Sequence, residues 1–298
     1  MNDRQREERV KEFFAYCRER YRIMLKKDAG APGPWTDDPV LQQYRFCNVF
    51  REDDRVTRWY AHELRAPLGD DDAAQFRAAV VFRWFNSITT GELLHDLLMP
   101  GEWDFAEARL RLKRQVESGK TILGAAYMIK SPPGMDKVDG LLECIRKVFL
   151  DIGHSYADPV KEIRKSKSLE SAVQSLVRYD YIGPFMAYQM VCDLRYAPIL
   201  EEAKDVMTWT APGPGSGRGS SRIVFGHADG YSYNNRNDVV QIMDVMLDLL
   251  EASDDASNWP KEWPKWELAQ VQHNLCEFDK IMRVRNGEGT PKQLYKPA

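Results

Sequence analysis

The sequence predicts an all-α fold. Three observations carry the prediction: apolar residues recur at three- and four-residue spacing along most of the chain, the periodic stretches begin and end at Asp, Ser, Gly or Pro, and strand signals are few. Residues 5–27 (QREERVKEFFAYCRERYRIMLKK) put Val10, Phe13, Phe14, Cys17 and Tyr21 on one stripe and basic residues on the other face, as an amphipathic helix does. Residues 28–39 (DAGAPGPWTDDP) form a Gly/Pro break, after which residues 40–64 resume a helical pattern dense in arginine and aromatics. Residues 69–88 open with the acidic run Asp70 to Asp72, favoured by the positive end of a helix, and run apolar toward Asn86. Residues 104–118 form a further helix stopped by Gly119, followed by 134–153 and by 168–179, which opens with S-x-x-S. In residues 179–194 (YDYIGPFMAYQMVCDL) the pair Gly183-Pro184 joins two apolar helical stretches, with the glycine at the position that needs a free backbone and the proline in the first turn of the second helix. Residues 234–253 and 266–285 complete the set, SRIVFG (221–226) is the best strand signal, and Gly/Pro-rich loops are expected near 28–36, 131–135 and 211–221. The organisation expected is one compact helical unit, with an N-terminal helix and linker at 1–39 and a body at 40–298 that carries the hairpin near 168–195.

Composition narrows the function classes. A chain of 298 residues with 43% hydrophobic content builds real cores. A net charge of −3 excludes a polycation that coats nucleic acid, so any DNA contact must be local. No apolar run of about 18 residues exists and the first residues are charged, so neither a membrane span nor a signal peptide is expected, and the expected setting is cytoplasmic. Five scattered cysteines without a CxxC pair argue for reduced thiols, and five histidines without H-x-x-x-H or HExxH spacing argue against a metal site.

The hairpin is the first functional lead. Its second helix begins with unpaired N–H groups that suit an anion such as a phosphate, so Ile182, Gly183 and Pro184 are candidate DNA contacts, with an ordinary αα-hairpin as the structural alternative. Ile182, Gly183 and Ala187 resemble the latter half of the helix-hairpin-helix pattern of base-excision DNA glycosylases, while Tyr181 stands where that pattern has its first glycine. The resemblance implies a catalytic aspartate further along, after a proline-bearing loop, and Pro198 and Asp205 occupy that interval with a small insertion. Phe185 fills the place of the Schiff-base lysine of the lyases, and no iron-sulfur cysteine cluster follows, which argues against lyase chemistry.

Several blocks taken in order resemble a narrower family. RFCNVFREDDRVTRWY (45–60), FRWFNSITTGELL (82–94), TILGAAYMI (121–129), DYIGPFMAYQMVCDL (180–194), APGPGSGRG (211–219) and LCEFDK (275–280) are similar to blocks of phage thymine-hypermodification proteins. These comprise the α-glutamyl/putrescinyl thymine pyrophosphorylases, amino acid:DNA transferases, and a related module, the helical domain of 5-hydroxymethyluracil DNA kinases. The resemblance covers roughly residues 40–295 and implies a glycosylase-like helical fold. It also implies a protein that flips a 5-(pyrophosphoryloxymethyl)uracil from double-stranded DNA and replaces the pyrophosphate with an amino acid or polyamine, working beside a DNA kinase of the same pathway in the infected host. A monofunctional glycosylase of modified pyrimidines is the enzymatic alternative, and a helical DNA-recognition module that partners the kinase is the other.

The kinase site itself is not legible here. RQVESGKT (114–121) has Arg114 where a P-loop needs its first glycine, and GPGSGRGSS (213–221) lacks the lysine. Gly213 and Gly215, with Arg218, read instead as a flexible loop or a nest of N–H groups for DNA phosphate.

The implied chemistry asks for particular side chains. A departing pyrophosphate needs fixed cationic donors, and Arg51 and Arg55, four apart on one helical face, together with Arg83 are the candidates. Asn48 and Asn86 suit a uracil edge, and Tyr127 or Trp84 can stack on the flipped base. The incoming ammonium must lose a proton, for which Asp205, Glu277 and Asp279 are the carboxylates at hand, with Asp193 read as structural. Lys280 is a candidate for holding a phosphate or the amino acid's carboxylate, or an i,i+3 partner of Glu277. No cofactor is expected, and magnesium enters only through the substrate's pyrophosphate.

Overall fold

A computed structural model describes residues 3–124, 129–154 and 157–295, and among them helix is the regular structure, the one β-bridge (Tyr44 with Leu294) being isolated. The all-α expectation is met. The chain runs through α1 (Asp3–Asp28), α2 (Pro39–Gln43), a 3-10 turn (Arg51–Asp53), and α3 (Arg55–Tyr60), which passes through a π-helical turn (Ala61–Arg65) into the short α4 (Ala66–Leu68). It continues with α5 (Asp72–Phe85), α6 (Ile88–Leu98), α7 (Phe105–Glu117), α8 (Lys137–Leu150), α9 (Pro159–Ser166), α10 (Leu169–Val177) and α11 (Pro184–Leu194). The last helices are α12 (Pro214–Phe225), α13 (Arg236–Ala252) and α14 (Leu268–Arg285). Asp71, Asp104, Asp136, Ser168 and Asn235 each accept the first N–H groups of the helix they precede, which is why those helices start where the sequence says they should.

The chain divides into two compact units, one made of Met1–Asp54 with Val206–Ala298 and the other of Arg55–Asp205. In the first, the N-terminal helix is core rather than appendage. Phe13 and Phe14 of α1 are wholly buried, and Phe13 meets Phe278 of α14 edge-on at 5.5 Å and Trp266 at 6.0 Å. In the second unit α5 is the centre, buried from Ala78 through Asn86, and it packs against α11 and α6.

Four local expectations are corrected. Residues 40–64 are not a continuous helix: after α2 the backbone turns extended at Tyr44, has no regular structure up to the extended Phe50, and Asp54 is extended again (ψ 135). Arg51 and Arg55 therefore do not share a helical face, and they fall in different units. Residues 211–221 are not a loop, nor 221–226 a strand, because both belong to α12 and its entrance. The glycines there serve close packing: a Cβ on Gly215 would lie 2.3 Å from the Cys276 sulfur and one on Gly219 would lie 2.2 Å from the Leu275 carbonyl oxygen, so α12 and α14 touch backbone to backbone. In the hairpin, Gly183 has an ordinary φ of −77 as the N-cap of α11, and the left-handed residue is Tyr181 (φ 68). The helices α6 and α9 were unforeseen; α6 depends on Gly91, where a Cβ would sit 2.5 Å from the Trp59 ring.

Candidate functional site

The extended segment of residues 45–49 carries backbone carbonyls with no helix ladder to satisfy them, and side chains do the work instead. Lys280 donates to the Arg45 carbonyl at 2.6 Å, Arg20 to those of Phe46 (3.2 Å) and Cys47 (3.1 Å), His273 to that of Asn48 (3.1 Å), and Asn274 to that of Val49 (3.0 Å). Three of these donors, His273, Asn274 and Lys280, stand with Glu277 along one side of α14, and the fourth comes from α1. Glu277 completes the clasp by accepting the Cys47 N–H at 2.9 Å and Lys280 Nζ at 3.1 Å. Asn48 donates through its amide to the Asp53 carbonyl (2.8 Å), and its own N–H goes to Asp54 Oδ1 (3.0 Å), which ties the segment to the 3-10 turn.

The outcome is a half-exposed polar cluster. One ligand-capable atom each of Cys47, Asp54 and His273 lies within 4.8 Å of the others. Burial pushes the Cys47 thiol well above its ordinary range, and the neighbouring carboxylates of Glu277 and Asp54 add to the effect. Burial likewise raises Asp54, while His273, the Asn48 N–H and Arg51 act the other way. Because a carbonyl can only accept, His273 carries a proton on the Nε2 that meets the Asn48 carbonyl.

This cluster gathers Asn48, Arg51, Glu277 and Lys280 of the sequence-derived candidates. The amide of Asn48, spent on Arg20 and Asp53, has a positioning role rather than a uracil edge to read. Asp279 faces elsewhere in the same unit: it is 1% exposed, and its two oxygens accept Nε of Arg218 and of Arg222, each at 2.8 Å, so it fastens α12 to α14. Gly215 is covered by Cys276 and offers no N–H nest, and the Gly213 N–H already goes to Ser216 Oγ at 2.9 Å.

The remaining candidates lie in the second unit. Arg83 is not a surface clamp: it is buried against Asp193, whose two oxygens take its Nε and Nη2, and it also donates to Asn86 Oδ1 (2.9 Å) and Thr57 Oγ1 (3.0 Å). Asn86, the left-handed C-cap of α5, and Trp84 are buried with it. Asp205 accepts the N–H groups of Leu169 (2.8 Å) and Glu170 (3.1 Å) and the Ser168 hydroxyl (2.8 Å), so it caps α10. Gly183 and Pro184 are exposed at the start of α11, Ile182 is buried beneath them, Arg55 is exposed at the start of α3, and Tyr127 lies outside the described residues. Sequence reasoning missed Arg20, Cys47, Asp54 and His273; the signal available was the H-x-x-x-E-x-x-K spacing His273, Glu277, Lys280, which sets three polar side chains on one helix face.

Fold and site together define, among the described residues, an all-helical protein of two units, the first of which carries a partly buried polar cluster between the segment at 45–49 and a face of α14. A family model places it further: the match to the helical domain of 5-hmdU DNA kinase runs over residues 7–290, and the chain belongs to that family. It is similar to the 5-hmdU DNA kinase of Bacillus phage SP10, with 28% identity over 210 residues that cover 64% of this chain and 32% of that protein, so the match spans about a third of the relative's length. No solved structure matches the chain. The likeness to phage thymine-modification proteins drawn from the six sequence blocks is thereby supported. Among the described residues no helix is long and apolar enough to cross a membrane.

Proposed function

We propose that the chain is a DNA-base hypermodification transferase that displaces pyrophosphate from 5-(pyrophosphoryloxymethyl)uracil in DNA with an amino acid or amine. The observation that carries this reading is the meeting of Glu277, Lys280 and Arg51 at one half-open cluster, in a chain whose relatives are named for kinases of 5-hmdU in DNA. In the proposed step the amine nitrogen attacks the C5 methylene, the C–O bond breaks, and pyrophosphate leaves with the electron pair. Glu277 takes the ammonium proton, and Lys280 and Arg51 hold the developing phosphate charge. Magnesium would accompany the pyrophosphate as part of the substrate. The target base must leave the duplex first, at a cost of a few kcal/mol. The exposed start of α11, whose N-cap Gly183 supplies no side-chain cap, is the proposed place of backbone contact.

A second reading is a recognition module that presents modified DNA to a kinase, favoured by the fact that the matched region is 32% of the relative. One experiment separates them: incubate the protein with DNA bearing 5-(pyrophosphoryloxymethyl)uracil and a pool of amino acids and polyamines, digest to nucleosides, and read masses. A new adduct with released pyrophosphate supports the transferase. Tight binding with unaltered nucleosides supports the module, and abasic sites the glycosylase. Within the transferase reading, Glu277→Gln is expected to slow transfer by about 10²-fold or more with the melting temperature little changed; an unaltered rate removes Glu277 as the base.

A further inference from the structure

We infer that Cys47, Asp54 and His273 form a binding site for a divalent transition metal of the zinc class. The three side chains offer a sulfur, an oxygen and a nitrogen, the donor set zinc takes in preference to calcium or magnesium. Their ligating atoms lie within 4.8 Å of one another. Zinc bonds of about 2.0–2.3 Å put tetrahedral ligands roughly 3.3–3.8 Å apart, so side-chain adjustment of about 1 Å closes the site.

The surroundings of each ligand fit the same role. His273 has one ring nitrogen on the Asn48 carbonyl at 3.1 Å, the kind of outer-sphere contact that orients a metal-bound imidazole. Asp54 receives the Asn48 N–H on Oδ1 and has a second oxygen to give. The backbone at Cys47 is pinned at its N–H by Glu277 and at its carbonyl by Arg20, so the sulfur is held in place by groups other than its own side chain. All three residues are partly buried, and a fourth ligand would have to come from water or a neighbouring group.

A free nucleophilic thiolate is the competing use of a Cys-His-Asp cluster, and the electrostatics oppose it. Reactive thiolates sit in electropositive surroundings. Cys47 instead has the carboxylates of Glu277 and Asp54 beside it, with Lys280 as the opposing charge. A dication reverses that balance. Metal binding exchanges the Cys47 S–H bond for an S–metal bond and releases that proton to solvent, while Asp54 and His273 supply the oxygen and nitrogen donors.

The inference stands apart from the transferase reading, and its test needs no activity. The full chain is stripped with a chelator and titrated with Co²⁺ alone, following the thiolate-to-cobalt charge-transfer absorption and the tetrahedral d–d bands; zinc is then added to displace the cobalt. One equivalent of cobalt with both sets of bands, bleached by zinc, is expected. Cys47→Ser should remove the charge-transfer band, Asp54→Asn and His273→Gln should each weaken cobalt binding by more than about 10-fold, and Cys276→Ser should leave the titration unchanged. Circular dichroism checks that each variant is folded, and if Cys47→Ser is not, the Asp54 and His273 variants decide. Lack of stoichiometric uptake by the wild-type chain, or a charge-transfer band that survives in folded Cys47→Ser, overturns the site.

Discussion

Each unit encloses a cluster of charged side chains, and the two clusters are built on opposite terms. Around Arg83 donors and acceptors are matched closely: a guanidinium 2% exposed faces a carboxylate 0% exposed, and two further N–H groups go to Thr57 and Asn86. Around Cys47 the bonds hold a backbone segment in place, while a thiol, a carboxylate and an imidazole nitrogen converge at a half-exposed opening. A buried, mutually paired cluster offers little to a ligand; a clasped segment that brings a thiol, a carboxylate and an imidazole together offers more. Both grew from sequence blocks of the same look, arginine and asparagine among aromatics.

The contrast breaks first at Arg83. Arg83→Ala removes the bidentate partner of Asp193 in the core of the second unit, so a loss of about 3–5 kcal/mol in urea unfolding is expected, with most of it recovered when both residues are replaced by hydrophobes of similar volume. A stable, folded Arg83→Ala that fails only in binding modified DNA would return Arg83 to the list of ligand contacts and dissolve the distinction. Next comes Gly219→Ala in the first unit, where the new Cβ meets the Leu275 carbonyl oxygen at 2.2 Å. Forcing α12 from α14 is expected to cost about 1–3 kcal/mol by the same unfolding measurement. A neutral result would mean that the two helices slide freely.

Particular residues explain what was legible beforehand. Helices with an Asp, Ser or Asn start and an apolar stripe, such as α5, α8 and α13, could be read because cap and periodicity are local properties. α12 could not: Gly215 and Gly219 look like loop residues until Cys276 and Leu275 are known to lie against them. Residues 44–50 misled for the converse reason. Phe46 and Val49 have helical spacing, but the carbonyls between them find donors on Arg20 and on α14, so the helix ladder is not needed. For the site, Glu277 and Lys280 stood out by residue type, whereas Cys47 and His273 gain meaning only from a partner more than two hundred residues distant, as the Cys47 N–H to Glu277 bond (separation 230) illustrates.

Asp205 tests the comparison from the side of chemistry. Its three accepted hydrogen bonds make it a cap of α10, so Asp205→Ala should cost about 1–2 kcal/mol of stability and leave any turnover of modified DNA within a few-fold. Loss of turnover at unchanged stability would bring back the glycosylase-like aspartate and move the active site into the second unit.

The smallest expected effects separate the units by pH. In the first, the Arg222 guanidinium, helped by Asn286, holds Glu288 down to about 2 against an ordinary 4.5. The depressed value means the ion pair stabilises the fold above about 4.5 and that this contribution is lost as pH falls toward 2. Glu288 is 41% exposed, so solvent screening limits the pair to a fraction of about 1 kcal/mol. In the second unit burial lifts Tyr179 to about 12, and its hydroxyl donates to Asp151 at 2.8 Å. A raised value reverses the sign: the contribution is whole below the ordinary 10 and is lost as pH rises toward 12. Thermal melts against pH should therefore show Glu288→Gln altering only the acid limb and Tyr179→Phe only the alkaline one. If either substitution moved both limbs, the stability contribution assigned to its titration would be wrong.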